Sequence, residues 1–186
     1  MPLSDPSVAR KPVHIRRIEC RGFERDDGCF DIEGHLTDTK AHGTFNPWKG
    51  ESAPGSPIHN MWLRFTVDSN LNITSVDAAS DSHPFPSCPG VVPNFQALRG
   101  LRIAAGFQRT VKELLGNTQG CTHLVDLAGM VATAALQTLG GLRLARLEPG
   151  KIPEKPLFID SCRGWAADGS VVAALYPELF TGRKPD

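Results

Sequence analysis

The sequence predicts an α+β domain in which an antiparallel sheet of two N-terminal hairpins packs against C-terminal helices. Three observations carry this prediction. Apolar residues alternate with period two through most of the first eighty positions, prolines at 84, 86, 89 and 93 then break the pattern, and the apolar spacing afterwards becomes helical. A sheet with one apolar face and a helix with one apolar stripe bury those surfaces against each other.

The first hairpin is predicted from two alternating segments, 13–24 and 29–38, on either side of Asp26-Asp27-Gly28. A three-residue loop with glycine last suits a type I turn followed by a bulge, with Gly28 at positive φ. This register puts apolar residues on one face and opposite charges on the other. The predicted facing pairs are Ile18 with Leu36, Cys20 with Gly34, Arg21 with Glu33, and Glu19 with His35.

The second hairpin follows a segment rich in Gly, Pro and Ser at about 41–57, which has the length of a lid or a binding loop. Met61 to Val67 alternates again, the turn lies at 68–70, and the chain returns through 71–79.

Two helices are predicted next. The first ends at Gly116, a C′ position, and the second begins at Thr122 as N-cap and runs to about Gln137, before Gly140-Gly141. Residues 157–160 are predicted as a short strand and 170–175 as a strand or short helix. Residues 1–12 are predicted as a mobile tail and 13–180 as one domain. The buried helical positions are expected to be Ile103, Phe107, Val111 and Leu114, then Leu124, Leu127, Val131 and Ala134.

Composition excludes several classes of function. Twenty basic and twenty acidic residues give no net charge, which argues against a nucleic-acid partner or an anionic membrane partner, and the apolar runs look too short to span a bilayer. Five cysteines without a regular spacing, and no secretory signal, favour free thiols in the cytoplasm. Glycine-rich phosphate loops are absent, so no nucleotide cofactor is expected. Oligomerisation stays open.

The strongest local motif is Gly120-Cys-Thr-His-Leu124. A cysteine just before a helix is stabilised as thiolate by amide donors and the helix dipole. Cys121 with His123 can bind zinc or iron, or act as nucleophile and base. The alternative is a buried structural cysteine under the helix start.

Other candidate ligands and acid–base groups come from separate segments. His59 shares the apolar face of its strand, where a hydrogen-bonded core histidine is the alternative, and Cys162 beside Arg163 is a further metal ligand. Glu33 and His35 share one strand face and are candidate general acid and base, although a solvated face with salt pairs explains them equally well. Asp38 points to the other face unless a bulge re-aims it.

A basic side chain and two aromatic side chains of the long loop are predicted to contact the substrate. Lys40 or Arg163 would hold a substrate carboxylate. Phe45 and Trp48 in the loop would close over an apolar or aromatic substrate.

Four motifs in this order resemble a bacterial family known as domain of unknown function 2889. They are Gly22 to Gly28, Asp31 to Lys40, Pro57 to Trp62 and Gly120 to Leu124, within a resemblance that spans most of 13–175. It implies a single-domain, cytosolic bacterial protein and no particular reaction. A fainter similarity is to the NifU-type iron–sulfur scaffold, on Cys121 before an Ala-rich helix and on Cys88, although no cysteine lies between them.

These observations leave three functions open. The first is a small lyase or hydrolase that acts on a small organic substrate, with Glu33, His35, His59, Cys121 and His123 as catalytic candidates. The second is a carrier of a metal or a cluster. The third is a structural or partner-binding module.

Overall fold

A computed structural model describes residues 4–148, 151–152, 156 and 159–182 of the chain. It contains six strands and three α-helices within these residues, and short 3-10 helices connect them. The strands are β1 His14–Glu24, β2 Phe30–Lys40, β3 Thr44–Asn46, β4 Gly50–Ser52, β5 Pro57–Val67 and β6 Ile73–Ser82. The helices are α1 Phe107–Leu115, α2 Thr122–Ala145 and α3 Ser170–Leu175, with 3-10 segments at Cys88–Leu98, Asn117–Gln119 and Arg163–Trp165.

The predicted α+β class is confirmed. Four antiparallel strands form one sheet in the order β1-β2-β5-β6, and the helices follow them in the chain. The first hairpin has the predicted register, with Ile18 opposite Leu36 and Glu19 opposite His35. Gly28 has a φ of 80°, as the turn chemistry requires.

The long segment between β2 and β5 is not wholly irregular. It contains the two-stranded β3–β4 hairpin, in which Phe45 lies opposite Glu51. The Trp48 ring is 60% exposed and meets Phe85 edge to face, with the ring centroids 5.2 Å apart. The Asn46 side chain donates to the carbonyl of Pro84 at 2.9 Å, which ties this hairpin to the chain after β6.

The core lies on one face of the sheet, under the first turns of α2. Alternate β2 residues from Phe30 to Asp38 are buried, and they align with Met61, Leu63 and Phe65 of β5. A Cβ on Gly34 would lie 2.5 Å from Cγ2 of Val131 and 2.9 Å from Cδ1 of Leu127. Glycine at this position therefore lets α2 approach the sheet closely.

The helices differ from the sequence prediction at several points. Leu115, not Leu114, completes the buried stripe of α1, because 107, 111 and 115 share one side of a helix and Leu114 is exposed. The second helix continues through Gly140 and Gly141 to Ala145, so these glycines do not end it. Cys121 takes the N-cap position predicted for Thr122, since its carbonyl accepts the first helical bond from Val125.

Residue contacts divide the chain into two compact units, Met1–Ala134 and Ala135–Asp186. The second unit contains the end of α2, the 3-10 turn Arg163–Trp165 and α3. Of the two structures predicted for 170–175, a strand or a short helix, the helix is the one observed. The strand predicted at 157–160 falls partly outside the described residues. The prediction of one domain over 13–180 stays a prediction.

One helix in the described part of the chain, Thr122–Arg143, is long and apolar enough to cross a membrane by length and composition. The sequence-based expectation that every apolar segment is too short was therefore wrong. Half of the most apolar window is buried inside the protein, and the core helix of a soluble protein passes the same test. This finding is weak evidence for a membrane span.

We predict that Gly34→Ala lowers the free energy of unfolding by about 1–3 kcal/mol, because the new methyl group overlaps a β-branched side chain that has little freedom to move. Chemical denaturation measures this change. Val131→Ala in the same chain should recover part of the loss. Gly141→Ala is the matched control, since its Cβ would meet nothing within 4 Å and a helical Ala is more stable by up to about 1 kcal/mol. An unchanged stability of Gly34→Ala would contradict the close approach.

Candidate functional site

A carboxylate on the buried face of the sheet is the centre of the candidate site. Asp38 occupies the same face of β2 as Ile32 and Leu36, and it is only 3% exposed. A buried charge is costly unless other groups pair with it and hydrogen-bond it. The surrounding groups come from β1, β5 and the start of α2, and we call the whole set the Asp38 cluster. Its members are His14, Arg16, Asp38, His59, Cys121 and His123.

Two of the partners come from β1, because the register places Arg16 directly opposite Asp38. Arg16 donates from Nε to Oδ1 at 2.8 Å and from Nη2 to Oδ2 at 2.7 Å, which is the bidentate arrangement. His14 lies two residues before Arg16 on the same face of β1, and its Nε2 hydrogen-bonds Oδ1 of Asp38 at 2.8 Å. Both carboxylate oxygens are thus held from one side.

His59 approaches from the other neighbouring strand. It lies opposite Asp38 in the β2–β5 ladder, next to a register shift between Asp38 and Thr39. Its Nδ1 lies 3.0 Å from Oδ2 of Asp38. Because Nδ1 faces the carboxylate, this contact favours the tautomer with the proton on Nδ1 and a lone pair on Nε2.

His123 comes from the first turn of α2. Its Nε2 lies 3.5 Å from Oδ2 of Asp38, and its ring lies over that of His59 with the centroids 3.7 Å apart. Leu127 and Val131 follow at four-residue spacing on the same side of the helix, and they pack on Gly34. The packing that fixes the helix on the sheet therefore also fixes the imidazole over Asp38.

Cys121 adds a thiol at the edge of the cluster. Its Sγ lies 3.7 Å from Nδ1 of His123 and 3.8 Å from Sδ of Met61. A Cβ on Gly120 would collide with the backbone of Leu115, so glycine allows the chain to turn sharply between α1 and α2 at this point. The Cys121 thiol therefore contacts the His123 imidazole, and the same imidazole contacts the Asp38 carboxylate on its other side.

The electrostatics of the cluster keep Asp38 charged and favour the neutral forms of His59 and His123. Burial alone would raise the pKa of Asp38, but the hydrogen bonds from Arg16 and His14 and the Arg16 charge hold it well below its usual range. Burial lowers the pKa of His59, and the neighbouring His123 lowers it further. Burial also lowers the pKa of His123, with Arg16 acting in the same direction.

Three members of the cluster are competent to bind a metal ion together. One ligand atom from each of Asp38, His59 and His123 can be chosen so that all lie within 4.8 Å of one another. These residues belong to β2, β5 and α2, so the fold and not a local sequence motif brings them together.

The structure separates the candidate residues of the sequence into different places. It brings His59, Cys121 and His123 together. Glu33 and His35 lie on the opposite face of the sheet, because they alternate with the buried residues of β2. There the His35 ring stacks on Trp62 at a centroid distance of 3.6 Å, and its Nε2 lies 2.6 Å from Oδ1 of Asn60.

The opposite face carries a shallow cavity of its own. It has a volume of about 330 Å³ and includes Glu33, Trp62, Arg64 and Asp77 in its lining. Arg64 donates to Asp77 at 2.7 Å and lies 3.5 Å from Glu33. These salt pairs are those of a solvated polar face, the alternative considered for Glu33, and the acid–base role of Glu33 and His35 stays a prediction.

The remaining candidates lie in other parts of the chain. Lys40 ends β2 opposite His14 and is half-buried, and Trp48 lies in the β3–β4 hairpin. Cys162 and Arg163 belong to the second unit, where Cys162 is exposed and Arg163 lies 3.9 Å from Asp168. Their proposed roles as metal ligand and substrate contacts stay predictions.

Sequence reasoning did not assign His14, Arg16 or Asp38 to the site. A signal was present, because the predicted register already placed Arg16 opposite Asp38. A carboxylate in phase with Ile32 and Leu36 needs a partner on the buried face. His14 lies two residues before Arg16 and therefore on the same face of β1.

We predict that the stability of the protein in a chelator falls in two steps as the pH is lowered. The folded-state pKa values of His59 and His123 are depressed, so their contribution is complete above the unfolded value of about 6.5 and is lost as the pH falls through the folded values. The Asp38 contribution is present above about 4 and is lost at lower pH, since its folded pKa is also depressed.

Chemical denaturation between pH 8 and pH 4.5 measures the first step. His59→Gln should reduce the slope of unfolding free energy against pH in that range, whereas His42→Gln, at an exposed position, should leave it unchanged. Equal slopes in the wild type and His59→Gln would contradict the assignment.

Comparison with known proteins gives a family but no activity. Residues 14–137 match the family described as protein of unknown function (DUF2889). This segment begins at His14 and includes the whole sheet and every member of the Asp38 cluster. No curated protein and no solved structure matches the chain, so the similarity to the NifU-type scaffold is not shown. The match covers more than half of the sequence, and the chain belongs to the DUF2889 family of proteins of unknown function.

Proposed function

We propose that the protein is a small metal-dependent enzyme, a hydrolase or lyase, that acts on a small organic substrate at the Asp38 cluster. The observation that carries the proposal is the convergence of Asp38, His59 and His123 within 4.8 Å from three different elements. Apolar residues would pack more favourably at these inward positions, so the polar groups are best explained by a function.

The ligand set suits a transition metal ion. Two imidazoles and one carboxylate form catalytic zinc sites and also ferrous sites, so zinc and iron are the two candidates. A metal needs neutral imidazoles, and the depressed pKa values of His59 and His123 supply them near neutral pH. The Asp38 contact at Nδ1 of His59 fixes the orientation of this ring before a metal arrives, as carboxylate partners of metal-binding histidines commonly do.

The carboxylate limits how a metal can enter. Asp38 already receives two bonds from Arg16, one from His14 and one from His59, and a carboxylate offers about four lone-pair sites. A metal at Oδ2 must therefore displace one donor. The His59 contact at 3.0 Å is the longest of the four, so we expect this bond to be the one exchanged.

A second candidate mechanism uses the same residues without a metal. Cys121, His123 and Asp38 form a series, with contacts of 3.7 Å from Sγ to Nδ1 and 3.5 Å from Nε2 to Oδ2. In this series His123 accepts the thiol proton, and Asp38 stabilises the imidazolium. The thiolate bonds to the carbonyl carbon of an ester or thioester, the bond from this carbon to the alcohol or thiol leaving group breaks, and the leaving group takes the proton from His123. Water then gives a proton to His123 and attacks the acyl carbon, the acyl–sulfur bond breaks, and the proton returns to the Cys121 sulfur as the carboxylic acid leaves.

We further propose that the protein works in the cytoplasm, where thiols stay reduced. All five cysteines are free, which supports this location. The substrate contacts proposed for Lys40, Trp48 and Arg163 belong to this hypothesis and share its tests.

We predict that the purified wild-type protein binds zinc or ferrous ion near one equivalent, measured by elemental analysis after dialysis and by titration calorimetry. Asp38→Asn, His59→Gln and His123→Gln should each weaken binding by at least about tenfold, because each removes or neutralises a ligand. His35→Gln is the matched control, since this histidine lies on the opposite face of the sheet. Absence of binding, or equal loss in the control, would reject the metal site.

We predict that Cys121 is alkylated by iodoacetamide at pH 7 at least about ten times faster than Cys29, because Nδ1 of the neutral His123 ring lies 3.7 Å from its Sγ and can act as a general base during the reaction. Mass spectrometry of the digested protein gives the rate at each cysteine. His123→Gln should remove the advantage of Cys121, whereas His35→Gln should preserve it. A slow rate at Cys121 in the metal-free wild type would reject the thiol mechanism and leave the metal mechanism untouched.

A further inference from the structure

The open edge of the sheet is the surface that carries a further inference. Strand β1 spans eleven residues, His14–Glu24, and pairs only with β2. Both of its faces are exposed apart from Cys20, which is half-buried. A long uncovered edge strand is a ready template for another strand, and proteins usually shorten or cover such edges.

The two edge strands of the sheet, β1 and β6, differ in whether another segment of the chain covers them. At β6 the chain returns and covers the edge, since Ile73 exchanges backbone bonds with Gly100 and Leu101, and the Gln96 side chain donates to Val76. At β1, in the part of the chain that the structure describes, no comparable segment bonds the outer edge. Apolar side chains remain exposed on this strand, Ile18 at 38% and Phe23 at 45%.

The backbone of β1 has an outward row of hydrogen-bonding groups. Val13 accepts from Ala41 at 3.3 Å, and Arg25 donates to Cys29 at 3.0 Å, so odd-numbered positions bond the neighbouring strand. Bonded positions alternate in an antiparallel ladder. The N–H and C=O groups of the even positions, from His14 to Gly22, therefore point to the open edge.

We propose that β1 pairs with the β1 strand of a second copy of this chain, antiparallel and with the two-fold axis at Ile18. In this register even positions face even positions, which matches the outward row, and the two four-stranded sheets become one sheet of eight strands. The sequence of β1 is complementary to itself in this arrangement. The facing pairs are Ile18 with Ile18, Arg17 with Glu19, Val13 with Phe23, and Arg16 with Cys20.

Charge disfavours the adjacent register, whose axis lies at Glu19. An axis at Glu19 places the two Glu19 side chains opposite each other and both Arg17 side chains opposite Arg21, and like charges in facing positions are destabilising. An axis at Ile18 instead makes two Arg17–Glu19 pairs. It also joins the exposed apolar residues at both ends of the strand.

The pairing also bears on the Asp38 cluster. Arg16 and His14 bond Asp38 from β1, and their side chains are 35% and 38% exposed. In the proposed register they face Cys20 and Gly22 of the partner. The second copy would thereby shield the exposed side of the cluster from water.

The test is a charge exchange measured by sedimentation equilibrium of the full chain. The wild type should be a dimer, and Arg17→Glu or Glu19→Arg should each raise the dimer dissociation constant at least about tenfold, because two attractive pairs become repulsive. An equimolar mixture of the two variants should restore dimers, since each then faces the opposite charge. The double variant should also dimerise.

Arg109→Glu, at an exposed position of α1, is the control for a change of net charge and should leave the dimer intact. Circular dichroism shows that each variant is folded. A monomeric wild type at about 100 µM would overturn the proposal. So would a dimer that neither single variant weakens, or a mixture that stays monomeric.

Discussion

The buried carboxylate of Asp38 is the constraint on which this end of the molecule depends. A charge on the inward face of a sheet is tolerated only when several groups solvate it in place of water. Arg16 and His14 do so from one strand and His59 from the other, and the register of three strands must be correct for all of them to meet. The contacts of the cluster therefore depend on the strand register as strongly as the packing of the apolar core does.

Asp38 also links the sheet to α2. Gly34 lets Leu127 and Val131 sit close to the sheet, and the same helix face then places His123 over His59. The depressed pKa values of the two imidazoles follow from this arrangement, because both rings are half-buried and each lies near another cation or potential cation. Packing at the centre of the sheet thus sets the protonation of groups at its end.

Much of the fold could be predicted because its signals are local. The Asp26-Asp27-Gly28 turn fixes the register of the first hairpin, and alternation fixes which β2 residues are inward. The end of α2 could not be predicted in this way, since Gly140-Gly141 is a local stop signal and the helix continues through it. For the site, periodicity correctly placed His59 on the apolar face of its strand. It also placed Asp38 and Glu33 on different faces of β2. The convergence of His59 with His123 depends on how α2 crosses the sheet, and no local pattern encodes that.

The two faces of the sheet place similar residue types in different surroundings. Glu33 and His35 have the chemistry of a general acid and base, yet their neighbours are Arg64, Trp62 and Asn60 on the outer face. Asp38 has the same chemistry as Glu33, but burial and four donors give it a fixed charge and a fixed orientation. A carboxylate held in this way can position imidazoles for a metal or for a thiol, whereas an exposed one rearranges with the solvent. Two similar side chains thus differ in how firmly their surroundings fix their charge and orientation.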